Sequence, residues 1–304
     1  MRVFLTGATG FIGSALVPEL IGAGHQVIGL SRSDAGAEAL ARAGADVVRG
    51  DVNDLERLRV AGASDGVIHA AFNHDFANVA QHSENDRKVI ATLGAALAGS
   101  DRPLIVTSGT GLVRSKTGAP VAETDDPASS AEVPRAATEE AAEALMARGG
   151  RVMVMRLPQV HDTRRQGRIS EHVRLARRHG WVAYVGEGEN RYPAAHVADA
   201  VRLYRLALER GRAGARYHAV AEEGVTLRAI AEAIGAGMKI PVRSITPDEA
   251  PAYFGLLANL ATLDLAASGA LTRQELAWNP TGPDLLTDLR NMDYGAAQPP
   301  PVAA

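Results

Sequence analysis

Along the first two thirds of the chain, short runs that are almost wholly apolar alternate with longer stretches whose apolar residues recur at helical spacing. The apolar runs lie near 2–6, 26–30, 46–49, 66–71, 103–107 and 151–156, and the helical patterns near 11–23, 53–60, 75–99 and 134–148. Val27-Ile28-Gly29-Leu30 and Leu104-Ile105-Val106 are apolar without a polar alternation, as expected of strands covered on both faces. The pattern predicts an α/β fold with a doubly wound parallel sheet. The last third is less regular. A helical pattern over about 196–212 is followed by a strand at 217–220, a helix near 226–237, a strand near 240–245 and a helical, apolar segment near 248–276.

The chemistry begins at the first strand. Gly7-Ala8-Thr9-Gly10-Phe11-Ile12-Gly13 follows an apolar strand and opens a helix, and that context gives the glycine spacing its meaning. Gly7 makes the tight turn, Gly10 lets the backbone approach a pyrophosphate, and Gly13 lets the helix lie close on the sheet. Thr9, Phe11 and Ile12 complete the loop, whose free N–H groups at a helix N-terminus suit phosphates. Residues 1–180 are therefore read as a dinucleotide-binding Rossmann core. Residues 181–295 are read as mainly a smaller substrate lobe, with some segments returning to the core. The proline-rich residues 296–304 are read as an unstructured tail.

The end of the second strand reports the cofactor subtype. An NAD binder places an acid there for the ribose hydroxyls. Here the chain reads Ser31-Arg32-Ser33, with no acid before Asp34. An arginine can pair with a 2′-phosphate through a charge-assisted fork, so NADP(H) is favoured over NAD(H). Asp51 and Val52 after the third strand suit the adenine edge. Ala70, Ala71 and Phe72 after the fourth leave room for the cofactor's ribose, and His69 reads as a core histidine rather than a catalyst.

Composition narrows the classes. A 46% hydrophobic chain of 304 residues can build a sizeable core, and a net charge of −3 carries no footprint for nucleic acid or an anionic membrane. The absence of cysteine removes disulfides, thiolate nucleophiles and cysteine metal sites. No apolar run approaches membrane-spanning length, and strand-like residues begin at Met1. A cytoplasmic protein acting on a small molecule is expected, with no metal.

Taken in order, the glycine loop, Gly50-Asp51-Val52, His69-Ala70-Ala71, Ile105-Val106-Thr107-Ser108, Arg156-Leu157-Pro158 and Ala195-His196-Val197-Ala198-Asp199 resemble the extended short-chain dehydrogenase/reductase family, epimerase/dehydratase type. The resemblance covers residues 1 to about 210, with weaker similarity to about 290. It implies that Thr107, Pro158, Gln159 and Val160 line the nicotinamide pocket. It also implies a catalytic Ser or Thr with a Tyr-x-x-x-Lys pair, in which the lysine charge brings the tyrosine pKa toward neutrality. Ser108 matches the serine. Arg135 stands where the tyrosine belongs and Glu139 where the lysine belongs, and no tyrosine precedes Tyr184.

The chain therefore resembles an atypical member of that family, closest in pattern to the angucyclinone ketoreductases of antibiotic pathways, which lack the tyrosine. That resemblance implies reduction of a polycyclic aromatic ketone by NADPH, with Ser108 and Thr110 near the carbonyl and the proton drawn from the substrate. Ser108 and Thr110 fit ribose or backbone contacts equally well. His74, His161, Tyr184, Arg191 and Tyr192 are candidates to face the substrate, and either histidine could be a general acid or a packing residue. Two other readings stay open: a non-catalytic NADP(H)-binding sensor or scaffold, and a sugar-nucleotide epimerase or dehydratase.

Overall fold

The computed structural model describes residues 1–73, 78–115 and 118–295. Among these, the strands in chain order are β1 (Arg2–Thr6), β2 (Gln26–Ser31), β3 (Asp46–Arg49), β4 (Gly66–His69), β5 (Leu104–Gly109), β6 (Val152–Leu157), β7 (Gln159–His161), β8 (Val182–Val185), β9 (Arg191–His196), β10 (Arg216–His218), β11 (Glu222–Thr226) and β12 (Val242–Ile245). The α-helices are α1 (Phe11–Gly22), α2 (Asp34–Arg42), α3 (Leu55–Leu58), α4 (Val79–Ala96), α5 (Ala137–Met146), α6 (Ile169–His179), α7 (Val197–Arg210), α8 (Leu227–Met238), α9 (Ala250–Phe254), α10 (Ala258–Ala261), α11 (Ala270–Leu276) and α12 (Leu285–Asn291).

Seven strands form one parallel sheet in the order β10-β6-β5-β4-β1-β2-β3. Alternate side chains of each strand feed opposite cores. Val3, Leu5, Val27 and Ile68 meet α1 and α7 through Leu16, Val17, Val201 and Leu208. Phe4, Ile28, Leu30 and Val67 meet α4 and α5 through Val89, Leu93 and Ala142. This is the doubly wound α/β architecture, and the strand order reverses beside β1, opening a crevice at the C-terminal ends of β1 and β4.

A third core, including Val173, Tyr192, Ile230 and Leu289, joins α6, α8 and α12 to two small sheets, β11-β9-β7 and β12-β8. From the last third of the chain, α7 and β10 return to the large sheet.

Several elements differ from the periodicity. Helix α2 has no strong apolar stripe, since only Leu40 is buried; it is held by Ser33, whose hydroxyl accepts from Gly36 N at 3.1 Å. The apolar segment 248–276 is not one helix. Gly255, at φ 57°, ends α9, and residues 262–269 are not helical before α11 begins. Strands β7, β9 and β11 carry charged or polar residues and β8 has only four residues, so their pattern does not stand out. No helix of the described residues is long and apolar enough to cross a membrane. The expected tail at 296–304 and the candidate His74 lie outside the described residues.

Candidate active site

The C-terminal ends of β1, β2, β4, β5 and β6 open into a cleft of about 1270 Å³, roofed by α6 and the segment 252–265. Its floor is the glycine loop. Gly7 sits at φ 68°, and a Cβ there would lie 2.7 Å from the Ala70 carbonyl. A Cβ on Gly13 would lie 2.1 Å from the Gly7 carbonyl oxygen, so only glycine lets α1 pack this closely on β1. Gly10 begins α1 with no side-chain cap, which leaves the first-turn amides directed at the cleft. Gly7, Thr9, Gly10, Phe11, Ile12, Gly13, Val52, Ala70, Ala71 and Phe72 all line it. An uncapped helix start over a glycine-only approach fits a dinucleotide's diphosphate.

Arg32 lines the same end, with its Nη1 3.5 Å from Asp51 Oδ2. Arg49, at the end of β3, bonds Asp34 at 2.7 Å and donates to the carbonyls of Arg32 and Ser33. Ser31 is buried and donates to the Ser33 carbonyl, so it shapes the turn rather than the cleft wall. Asp51 accepts from Asn53 N and Nδ2 at 2.8 Å and stands just outside the lining. Arg165 reaches back over Phe11, 5.8 Å from the ring centroid, and its buried Nη1 has no hydrogen-bond partner among the described residues.

The reactive end is built on β5 and the start of α5. Thr107, Ser108 and Thr110 line the cleft with Pro158, Gln159 and Val160. The hydroxyl of Ser108 donates to Glu139 Oε1 at 2.6 Å. Glu139 is wholly buried, and Arg156 grips its carboxylate through Nε at 2.9 Å and Nη2 at 2.8 Å. The residue at the expected lysine position is therefore an anion locked to a buried arginine. The serine's only proton is directed into the protein.

Arg135, at the expected tyrosine position, lines the cleft beside Ser108. It donates to Asp86 Oδ2 at 2.9 Å and to the Thr107 carbonyl at 3.1 Å, and its guanidinium stacks 3.6 Å from the Phe72 ring centroid. Two of its five N–H donors are thus used. Asp86 also accepts from His69 Nε2 at 2.8 Å and from the Thr138 hydroxyl, and His69 Nδ1 meets Thr6 Oγ1 at 2.7 Å. Burial pushes the Asp86 carboxyl up, but Arg135 and His69 outweigh it and hold the group below the usual carboxylate value. Burial lowers the Arg135 pKa against the pull of Asp86 and Glu139. A guanidinium nevertheless remains a cation and exchanges no proton at neutral pH. His69, expected in the core, is the bridge that orients Asp86.

Tyr192 lines the cleft from β9, but its hydroxyl donates to the Leu260 carbonyl at 3.0 Å and burial pushes its pKa up to about 12. Tyr204 lies beneath the floor, 2.6 Å from Thr107 Oγ1, wholly buried and with its pKa raised by burial. Neither phenol is placed to titrate near neutrality. His161 is buried against Asp288 at 2.7 Å, away from the cleft. Arg191, adjacent to Tyr192 but on the opposite face of β9, forks onto Asp264 at 2.6 Å, and Tyr184 packs under Arg228. None of these three lines the cleft. The sequence does not mark Arg165 as a site residue; the signal for Arg135 is its place where the family resemblance expects a tyrosine.

Two fungal proteins resemble the chain over nearly its whole length. It is 41% identical to the uncharacterized protein C2A9.02 of Schizosaccharomyces pombe over 97% of this chain and 100% of that protein. It is 40% identical to the uncharacterized protein YLL056C of Saccharomyces cerevisiae over 95% and 98%. Among solved structures, dTDP-glucose 4,6-dehydratase DesIV of Streptomyces venezuelae, with NAD bound, shares the fold at a TM-score of 0.77 and 21% identity, covering 96% and 95% of the two chains. UDP-glucose 4-epimerase of Thermus thermophilus, in complex with NAD, does so at 0.76 and 20%, covering 96% and 97%. Residues 3–221 match the NAD dependent epimerase/dehydratase family, and the chain belongs to that family, with an oxidoreductase-type fold.

Proposed function

We propose that the chain is an NADP(H)-dependent ketoreductase that acts without a tyrosine–lysine relay, on a polycyclic aromatic ketone of the polyketide type in secondary metabolism. The observation that carries this reading is the reactive end of the cleft. Arg135 offers a fixed charge with spare N–H donors, and Glu139 is engaged on both oxygens, so neither supplies a proton.

The bound nicotinamide would supply hydride to the carbonyl carbon. The glycine loop and Arg165 would hold the diphosphate, and Arg32 would leave Asp51 for the 2′-phosphate. Arg135 would stabilise the negative charge that develops on the carbonyl oxygen, a role of the kind fixed donors play in an oxyanion hole. Thr110, buried beside Ser108, would bound the carbonyl's position. The proton would come from a phenol or enol next to the carbonyl, which water re-protonates afterwards. The apolar wall of Tyr253, Phe254, Leu257, Leu260 and Leu265 suits a flat ring system.

NADPH deuterated at C4 in each stereochemical form, mixed with a panel of aromatic ketones, tests this by mass spectrometry. A deuterated alcohol formed only from ketones with a neighbouring hydroxyl is expected. Tight NADPH binding without transfer to any ketone would move the reading to a sensor or scaffold. A sugar-nucleotide substrate is the second reading, favoured by the arginines lining the cleft and by the substrates named for the structural neighbours. It requires a proton-abstracting group at the place that Arg135 and Glu139 occupy. Binding of a nucleoside diphosphate sugar in preference to aromatic ketones would establish it.

A further inference from the structure

The cleft's arginines are not alike. Arg32 and Arg135 face carboxylates in Asp51 and Asp86, and Arg174 faces Glu171 at 2.7 Å. Arg114 and Arg168 instead meet at Gly111. Arg114 follows the turn Thr110–Leu112 and, among the described residues, donates only to the carbonyls of Gly111 and Val113. Arg168 occupies the N-cap position of α6, and its side chain makes no hydrogen bond or ion pair among the described residues. Its two terminal nitrogens lie beside Gly111, each 3.8 Å from where a Cβ on that glycine would be. Both arginines line the cleft, with Tyr192 and Leu265 as apolar neighbours. His172, buried behind Arg168, has its pKa lowered to about 4 by burial and by that arginine's charge, so it adds no counter-charge and no competing cation.

Two exposed like charges brought together at Gly111 on the cleft wall, with no ion pair to a carboxylate among the described residues, form an arrangement that an incoming oxyanion relieves. We propose that Arg114 and Arg168 form an anion subsite, so that the substrate bears an oxyanionic group, a carboxylate or a phosphate, besides its reducible carbonyl. This deepens the ketoreductase reading and rests on it for the identity of the reaction, though not for the binding. Gly111 is three residues beyond Ser108, and three residues span at most about 11 Å.

Binding to the NADP(H)-loaded protein tests the subsite without turnover. The probes are anthraquinone, anthraquinone-2-carboxylate and the monophosphate of a hydroxyanthraquinone, titrated calorimetrically. The anionic probes are expected to bind at least about tenfold more tightly than the neutral one. Arg168→Gln and Arg114→Gln should each remove most of that preference, and Arg168→Lys should restore part of it. The preferred anionic probe tells carboxylate from phosphate. Equal affinity for neutral and anionic probes would overturn the proposal. So would an equal loss of preference in Arg178→Gln, a cleft arginine outside the pair, because the effect would then belong to the general field. Anion preference without reduction of any ketone would keep the subsite and sink the ketoreductase reading.

Discussion

The two ends of the cleft treat their polar groups in opposite ways. At the cofactor end, backbone N–H groups at the start of α1 and a buried nitrogen of Arg165 are left without protein partners, over glycines that a Cβ would block. At the reactive end the polar groups are closed into pairs: Ser108 with Glu139, Glu139 with Arg156, Arg135 with Asp86, and Thr107 with Tyr204. One end is open to a ligand. The other is a closed framework that presents the charge and spare N–H donors of Arg135 to the cleft. The lesson is that one cleft can hold an open end and a closed, hydrogen-bonded end side by side. Arg135 and Glu139 belong to a structural network with Asp86, Ser108 and Arg156, and the glycine loop stays open beside it.

Breaking the closed network should have the largest effect. Glu139→Ala leaves Arg156 buried without its carboxylate, which costs about 3–5 kcal/mol, read as a lower urea midpoint. If stability were unchanged, the pair would not be the framework described. Arg135→Ala tests the exported charge. Turnover should fall about 10²–10³-fold while NADPH affinity stays within a factor of about two, and Arg135→Lys should recover part of the rate. Equal losses in rate and NADPH affinity would place Arg135 at the cofactor end instead.

At the open end, Arg32→Ala should weaken NADP(H) binding by roughly tenfold or more, the scale of a charge-assisted hydrogen bond, and leave NAD(H) binding nearly unchanged. Fluorescence titration with both cofactors measures it, and equal weakening of both would assign Arg32 to Asp51 alone. Tyr192→Phe should matter least. It removes one bond to the Leu260 carbonyl, about 1 kcal/mol, and should not move the pH dependence of turnover, because burial holds that phenol at about 12. A shift in the pH profile would make Tyr192 a proton donor after all.

The cofactor end was legible in the sequence because backbone geometry dictates residue type there. A tight turn and a close helix–strand approach admit glycine and little else, at fixed spacing from an apolar strand. The sheet was legible for a similar reason, since strands covered on both faces must be apolar. The reactive end could be read only as a departure. The spacing offers no Tyr-x-x-x-Lys pair at residues 135 and 139, but what Arg135 and Glu139 do there depends on partners far apart in the chain. Arg135 meets Asp86 at a separation of 49 residues, and Arg156 meets Glu139 at 17. Strand parity hid another part. Arg191 and Tyr192 are neighbours, yet β9 turns one toward Asp264 and the other into the cleft. Helix α2 escaped because its signal is a cap at Ser33 rather than an apolar stripe.

The central claim is that no protein group supplies the proton. Its most direct test is the pH profile of kcat/KM for two aromatic ketones whose neighbouring hydroxyls differ in acidity by about two pH units. The proton must be on the substrate before reduction, so the rate should fall as pH rises past the hydroxyl's own pKa. The falling limb is expected to move to lower pH with the more acidic substrate, by about the difference between the two hydroxyls. A limb at the same pH for both substrates would show that a group of the protein gives the proton, and would contradict the claim.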